Sequence, residues 1–122
     1  VDDDYKQPNG IKGTPDGKTL YVADINFKKT YAYDIKENGT LANRRVFCEV
    51  GSDGMAVDSQ GNVYLTSGAV IVFDKTGKEI AKLPVPESPS NVCFGGKDDK
   101  TLFITARKGL YAVQTKVTGA PK

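Results

Sequence analysis

The sequence predicts an all-β protein assembled from repeated four-stranded antiparallel units, the arrangement of a β-propeller. Three observations carry that expectation. A motif recurs at a period of about 40 residues, apolar residues alternate at period 2 with no sustained helical stripe, and tight-turn dipeptides fall between the alternating runs.

The repeat is explicit in GKTLYVAD at 17–24, GNVYLTS at 61–67 and DKTLFITAR at 99–107, where Tyr21, Tyr64 and Phe103 are in register at spacings of 43 and 39. A second strand-like run follows each copy: TYAYDI at 30–35, VIVFDK at 70–75 and LYAVQT at 110–115. A third run precedes each: NGIKGT, DGMAVD and NVCFGG. RRVFCEV at 44–50 and EIAKLPV at 79–85 read as fourth strands, and the third repeat has none. PDGK, ENGT, SQGN and KTGK supply the Asp, Asn and Gly that hairpins with positive φ require. The blades therefore fall at about 7–50, 51–88 and 89–118, the last incomplete, with strands of four to seven residues. In a propeller the first strand of each blade lies nearest the axis, and about four to eight blades close the ring. Two blades and most of a third would leave apolar faces open at both ends, so the sequence reads as part of a longer protein or as half of an assembly.

Composition narrows the chemistry. The 122 residues carry 17 Lys and Arg against 15 Asp and Glu, a net charge of +2 with the signs interspersed. That distribution argues against nucleic acid as a partner. No apolar run reaches the roughly 18 residues of a membrane helix. Histidine is absent, which removes the usual general base and the commonest metal ligand. Cys48 and Cys93 have no metal-ligand spacing and read as two free thiols packed like small apolar groups. Cytoplasm and periplasm both remain open. Any chemistry must come from carboxylates, amides and a bound ion.

Asn9, Asp53 and Asn91 occupy one position in P-N-G, S-D-G and S-N-V, at the entrance to the first strand of successive repeats. Equivalent positions in a propeller converge on the axis, where oxygen-bearing side chains from several blades can surround one hard cation. By spacing alone, the reading of these residues as turn formers is the favoured one. Asp16, Asp24, Asp34, Asp58 and Asp74 recur at strand ends, where a carboxylate accepts turn hydrogen bonds, and Asp2 to Asp4 read as a solvated approach to the first blade. Arg107, at the end of TLFITAR, suits a surface or inter-blade pairing, or a polar substrate at the channel mouth.

Taken in order, QPNGIKGTPDGKTLYVAD, NGTLANRRVF, SDGMAVDSQGNVYLT and NVCFGGKDDKTLFITAR closely resemble the gluconolactonase family, which includes regucalcin, over nearly the whole chain. The resemblance implies a six-bladed propeller of which this chain is the C-terminal half. It implies one divalent cation at the channel mouth, calcium first, with zinc, magnesium or manganese as alternatives. Asn9 and Asp53 match metal ligands, and Asp53 also matches a general base; the family's first-blade Glu and a further channel Asn have no counterpart here. Asn91 and Arg107 would line the channel or touch substrate. The implied reaction is hydrolysis of a sugar lactone to the aldonic acid, with the isolated chain inactive until the missing blades, or a second half-propeller, complete the ring. A non-catalytic propeller that binds a partner is the rival reading.

Overall fold

A computed structural model describes residues 4–119. The alternating runs form eleven strands: β1 Pro8–Gly13, β2 Thr19–Asp24, β3 Lys29–Ile35, β4 Leu41–Cys48, β5 Met55–Val57, β6 Val63–Thr66, β7 Val70–Phe73, β8 Glu79–Leu83, β9 Pro89–Gly95, β10 Thr101–Ala106 and β11 Gly109–Gln114. They pair antiparallel in sequence order as β1-β2-β3-β4 (sheet one), β5-β6-β7-β8 (sheet two) and β9-β10-β11 (sheet three). Gly17, Gly39, Gly61 and Gly77 all take φ between 72° and 91°. The four turn motifs thus close hairpins with the positive φ that their glycines allow without steric cost.

Lengths depart from expectation in two places. β4 begins at Leu41 and runs for eight residues, because bulges opposite Thr30/Tyr31 and Ala32/Asp34 let it stay paired to β3. β5 keeps only three, since Asp58 turns the chain into the Asp58–Asn62 hairpin.

Side chains alternate across each sheet, and sheet two is covered on both sides. Met55, Val57, Val63, Leu65, Ile71 and Phe73 pack with Tyr21, Ala23, Ala32 and Cys48 of sheet one. Ala56, Tyr64, Val70 and Val72 pack with Val92, Phe94, Leu102 and Ile104 of sheet three. The sheets therefore stack face to face around two apolar layers, and their first strands follow one another, β1 beside β5 and β5 beside β9. Beyond β11 the chain returns to sheet two, where Ser59 N–H donates to the Thr118 carbonyl at 2.8 Å and Asp58 pairs with Gly119.

The two outward faces differ. On sheet one, Tyr31 and Tyr33 are buried because Tyr5 stacks edge-on against Tyr31, bonds the Tyr33 hydroxyl, and sandwiches the Arg44 guanidinium, which lies 4.3 Å from the Tyr31 centroid. On sheet three, Phe103 and Leu110 remain exposed, Leu110 at 70%. Cys93 pairs with Phe103 on that outward face and is exposed, which corrects the expectation that both thiols are packed; Cys48 is buried. Asp4 is likewise more than a solvated approach, since it holds Arg44 at 2.6 Å. Asp2 and Asp3 lie outside the described residues.

The five strand-end aspartates are structural, as their positions suggest. Asp24 is fully buried and accepts backbone N–H groups from Lys6, Gln7, Asn26 and Phe27 at 2.7–3.2 Å. Burial would raise its pKa, and those N–H donors outweigh burial and hold it below the usual value. Asp58 accepts from Gln60, Asn62 and the Tyr64 hydroxyl. Asp16 and Asp74 close their turns on neighbouring Thr hydroxyls and backbone N–H groups, and Asp34 takes Asn43 and Arg45.

Candidate functional site

β1, β5 and β9 begin at the same end of the stack, so the residues at their entrances gather there. The Asn9 side-chain N–H donates to Asp53 Oδ1 at 3.2 Å across 44 residues of sequence, and the Gly10 N–H approaches the Ser52 carbonyl at 3.4 Å. Both side chains are exposed. Asn91, at the third entrance, lies against Gly54: a Cβ at Gly54 would collide with the Asn91 Oδ1, so only glycine admits this close approach. Asn91 Oδ1 also accepts the Val92 N–H at 2.8 Å. One carboxylate and two primary amides from three sheets thus share a small volume. Arg107 is exposed in the β10–β11 turn, with φ 49°, at this same end. Among the described residues it makes no ion pair.

Asp53 is held by a buried pair that the sequence reading did not single out. Ser52 and Thr66 are both almost fully inaccessible. Thr66 N–H donates to Ser52 Oγ at 2.7 Å, Gly54 N–H donates to Thr66 Oγ1 at 3.2 Å, the two hydroxyls lie 3.1 Å apart, and Ser52 Oγ bonds the Gly54 carbonyl. These bonds fix the backbone on both sides of Asp53. A fully satisfied buried network resists rearrangement, so the backbone that carries Asp53 is held in place. A Ser or Thr beside a turn and a Thr ending a strand are too common to flag; only their pairing across β5 and β6 marks them.

Beside Asp53 a cavity of about 410 Å³ opens between sheets one and two, bordered by Lys28, Glu49, Ser67 and Ser88. Its size suits a small polar molecule. The donor atoms are hard oxygens, with no sulfur or imidazole among them. Asp53 spends one contact on Asn9 and leaves most of its lone-pair sites available, which fits a hard divalent cation. Among the described residues no three Asp, Glu, Cys or His side chains gather to hold a metal.

Several known proteins resemble the chain in sequence and in fold. A pentonolactonase of Haloferax volcanii is 34% identical over 113 residues, covering 84% of this chain and 38% of its own length. The structure of a gluconolactonase from Xanthomonas campestris superposes with a TM-score of 0.84 at 33% identity, over 92% of this chain and 39% of that one. A calcium-binding protein, regucalcin, from Agrobacterium tumefaciens gives 0.80 at 25% identity, over 98% and 48%. The chain spans less than half the length of these relatives. Residues 1–108 match the SMP-30/Gluconolactonase/LRE-like region, and the chain belongs to that family.

Proposed function

We propose that this chain is the metal-holding part of a six-bladed β-propeller lactonase, its three sheets being consecutive blades, and that the whole protein opens a sugar lactone to the aldonic acid. The observation that carries the reading is the 3.2 Å contact between Asn9 and Asp53, which brings an amide and a carboxylate from adjacent sheets to one exposed point beside a small cavity. Relatives named as lactonases supply the substrate class. The regucalcin structure supplies calcium as the first cation to test, with zinc, magnesium and manganese after it.

Asn9 and Asp53 would hold the cation, and Asn91 would border it. When bound, such an ion supplies Lewis-acid stabilisation of the oxyanion that forms on the lactone carbonyl. Asp53 orients the attacking water through its free lone pairs and accepts a proton as the water oxygen bonds to the carbonyl carbon. The ring C–O bond then breaks, and the alkoxide so released takes up the proton that Asp53 accepted, which gives the open hydroxy acid and restores the carboxylate. The Ser52–Thr66 pair keeps Asp53 aimed throughout, and Arg107 lies at the same mouth, where it can meet a polyhydroxy or anionic group. Because the chain covers under half of its relatives, activity is assigned to the whole protein and the isolated chain is expected to be inactive.

The test is Asp53→Ala in the whole protein, read by gluconolactone hydrolysis and calcium titration. We expect turnover to fall by about 10²–10⁴ and calcium affinity to fall with it, while circular dichroism retains the β signature. Hydrolysis unchanged in a folded Asp53→Ala protein would remove Asp53 from the reaction. Calcium binding without hydrolysis of any lactone would instead favour a binding module.

A further inference from the structure

A cavity of about 870 Å³ lies away from this site. It opens between sheets one and two at the opposite end of β1 and β5, beside the turns at Thr14–Asp16 and Asp58–Gly61. The Tyr21 ring and Phe47, edge to face at 4.8 Å, form its apolar wall.

Comparison of equivalent positions shows what the cavity lacks. Tyr64 in sheet two repeats Tyr21 in sheet one, and its hydroxyl donates to Asp58 at 2.9 Å. The position equivalent to Asp58 in sheet one is Thr14, whose hydroxyl is committed to Asp16 and to the Thr19 backbone. The Tyr21 ring is therefore buried while its hydroxyl has no hydrogen-bond partner among the described residues and borders the cavity. The hydroxyl is open to the cavity, since among the described residues no buried side-chain nitrogen or oxygen lacks a partner. Lys75, in the β7–β8 turn, also borders the cavity and makes no hydrogen bond or ion pair among the described residues. Arg45 stands beside it, half-exposed and 3.0 Å from Asp34. Of the two acids in the wall, Asp58 accepts on both oxygens, from Gln60, Asn62 and Tyr64, and Asp16 accepts Thr14 and Lys18 on Oδ1. Two unspent donors, a phenol and an ammonium, thus stand next to two aromatic rings.

We propose that this cavity is a second binding site, for a small organic carboxylate with a flat apolar body. The carboxylate accepts from the Tyr21 hydroxyl and from Lys75, and the body lies on the Tyr21–Phe47 wall. The inference does not depend on the lactonase reading, because no residue of the Asn9–Asp53 end takes part.

The test is titration of the whole protein with benzoate, followed by amide ¹H–¹⁵N shifts, with benzyl alcohol as the uncharged control and inorganic phosphate as the anion without a body. Saturable benzoate shifts centred on Gly61 and Thr76 are expected, undiminished in Asp53→Ala. Benzyl alcohol and phosphate should each bind at least tenfold more weakly. Tyr21→Phe, which deletes only the hydroxyl, should weaken benzoate roughly threefold to tenfold, and Lys75→Ala should weaken it further. Absence of saturable shifts at Gly61 and Thr76, shifts centred on Ser52–Gly54 instead, or equal affinity for benzyl alcohol would each overturn the proposal. Unchanged affinity in a folded Tyr21→Phe protein would do the same.

Discussion

Sheets one and two are copies of one pattern placed in different surroundings, and they have diverged accordingly. Sheet two is covered by a neighbouring sheet on each side, and every residue of β5, β6 and β7 is buried. Sheet one is covered by a sheet on one side and by Tyr5 and Arg44 on the other, and β1 exposes five of its six residues. A repeat thus fixes where strands run, while the neighbours decide how much each side chain contributes.

The comparison is broken most directly at its core. Leu65, at the centre of β6, is completely inaccessible, whereas Leu20 on β2 is partly exposed on the outward face. Leu65→Ala should lose about 2–5 kcal/mol, the transfer and cavity cost of a buried leucine. Leu20→Ala should lose about 1 kcal/mol, since less apolar surface leaves water there. Urea unfolding of both variants measures the difference, and equal losses would mean that the outward face is as well packed as the layer between the sheets.

The end of β2 shows the converse, a polar anchor in sheet one with no copy in sheet two. Asp24 is buried under four residues' N–H groups, and the equivalent Ser67 is exposed. Its folded pKa is depressed, so its stabilisation is complete above the unfolded value of about 3.9. That stabilisation is lost as pH falls through the lower, folded value. Asp24→Asn should cost about 1–3 kcal/mol at neutral pH and flatten the decline in stability below about pH 4. Unfolding free energy followed from pH 7 to pH 2 checks both the size and the direction.

Much of this architecture is legible in the chain. Tyr21, Tyr64 and Phe103 locate the second strand of each sheet, and the turn glycines locate the hairpins, because both features depend only on local chemistry. The nearness of Asn9 to Asp53 was legible as well, since equivalent entrances converge when repeats stack. The exposure of Cys93 in this chain was not, because it depends on what covers the outward face of β9 and not on the alternation along the strand. The Ser52–Thr66 pair was hidden for another reason, being polar residues in a layer otherwise read by its apolar pattern.

That pair offers a finer test. Position 66 is Thr in sheet two, and the equivalent Ala23 in sheet one has no hydroxyl to give, so the turn holding Asp53 is braced in a way the turn holding Asn9 is not. Thr66→Val keeps shape and removes the hydroxyl that accepts the Gly54 N–H. A loss of about 1–3 kcal/mol is expected, together with weaker calcium binding by the whole protein, while Thr66→Ser retains the affinity. If Thr66→Val binds calcium as tightly as the unaltered protein, the pair supports the fold and does not aim Asp53.

The smallest effect separates the two tyrosines. Tyr64 donates to Asp58 at 2.9 Å in a buried setting, and burial, followed by the adjacent carboxylate, pushes its pKa well above the ordinary phenol value. Burial pushes Tyr21 up as well, with Asp16 adding to the rise and Arg45 opposing it. Tyr64→Phe therefore removes a satisfied bond, and Asp58 Oδ2 retains only the Asn62 amide; about 1 kcal/mol should be lost. Tyr21→Phe removes a hydroxyl that no described residue accepts, so its stability should stay within about 0.5 kcal/mol of the parent. Thermal unfolding of the two variants side by side reads the contrast. A Tyr21→Phe protein as destabilised as Tyr64→Phe would show that the Tyr21 hydroxyl already has a partner within the folded protein, and that the two sheets are more alike than their hydrogen bonds indicate.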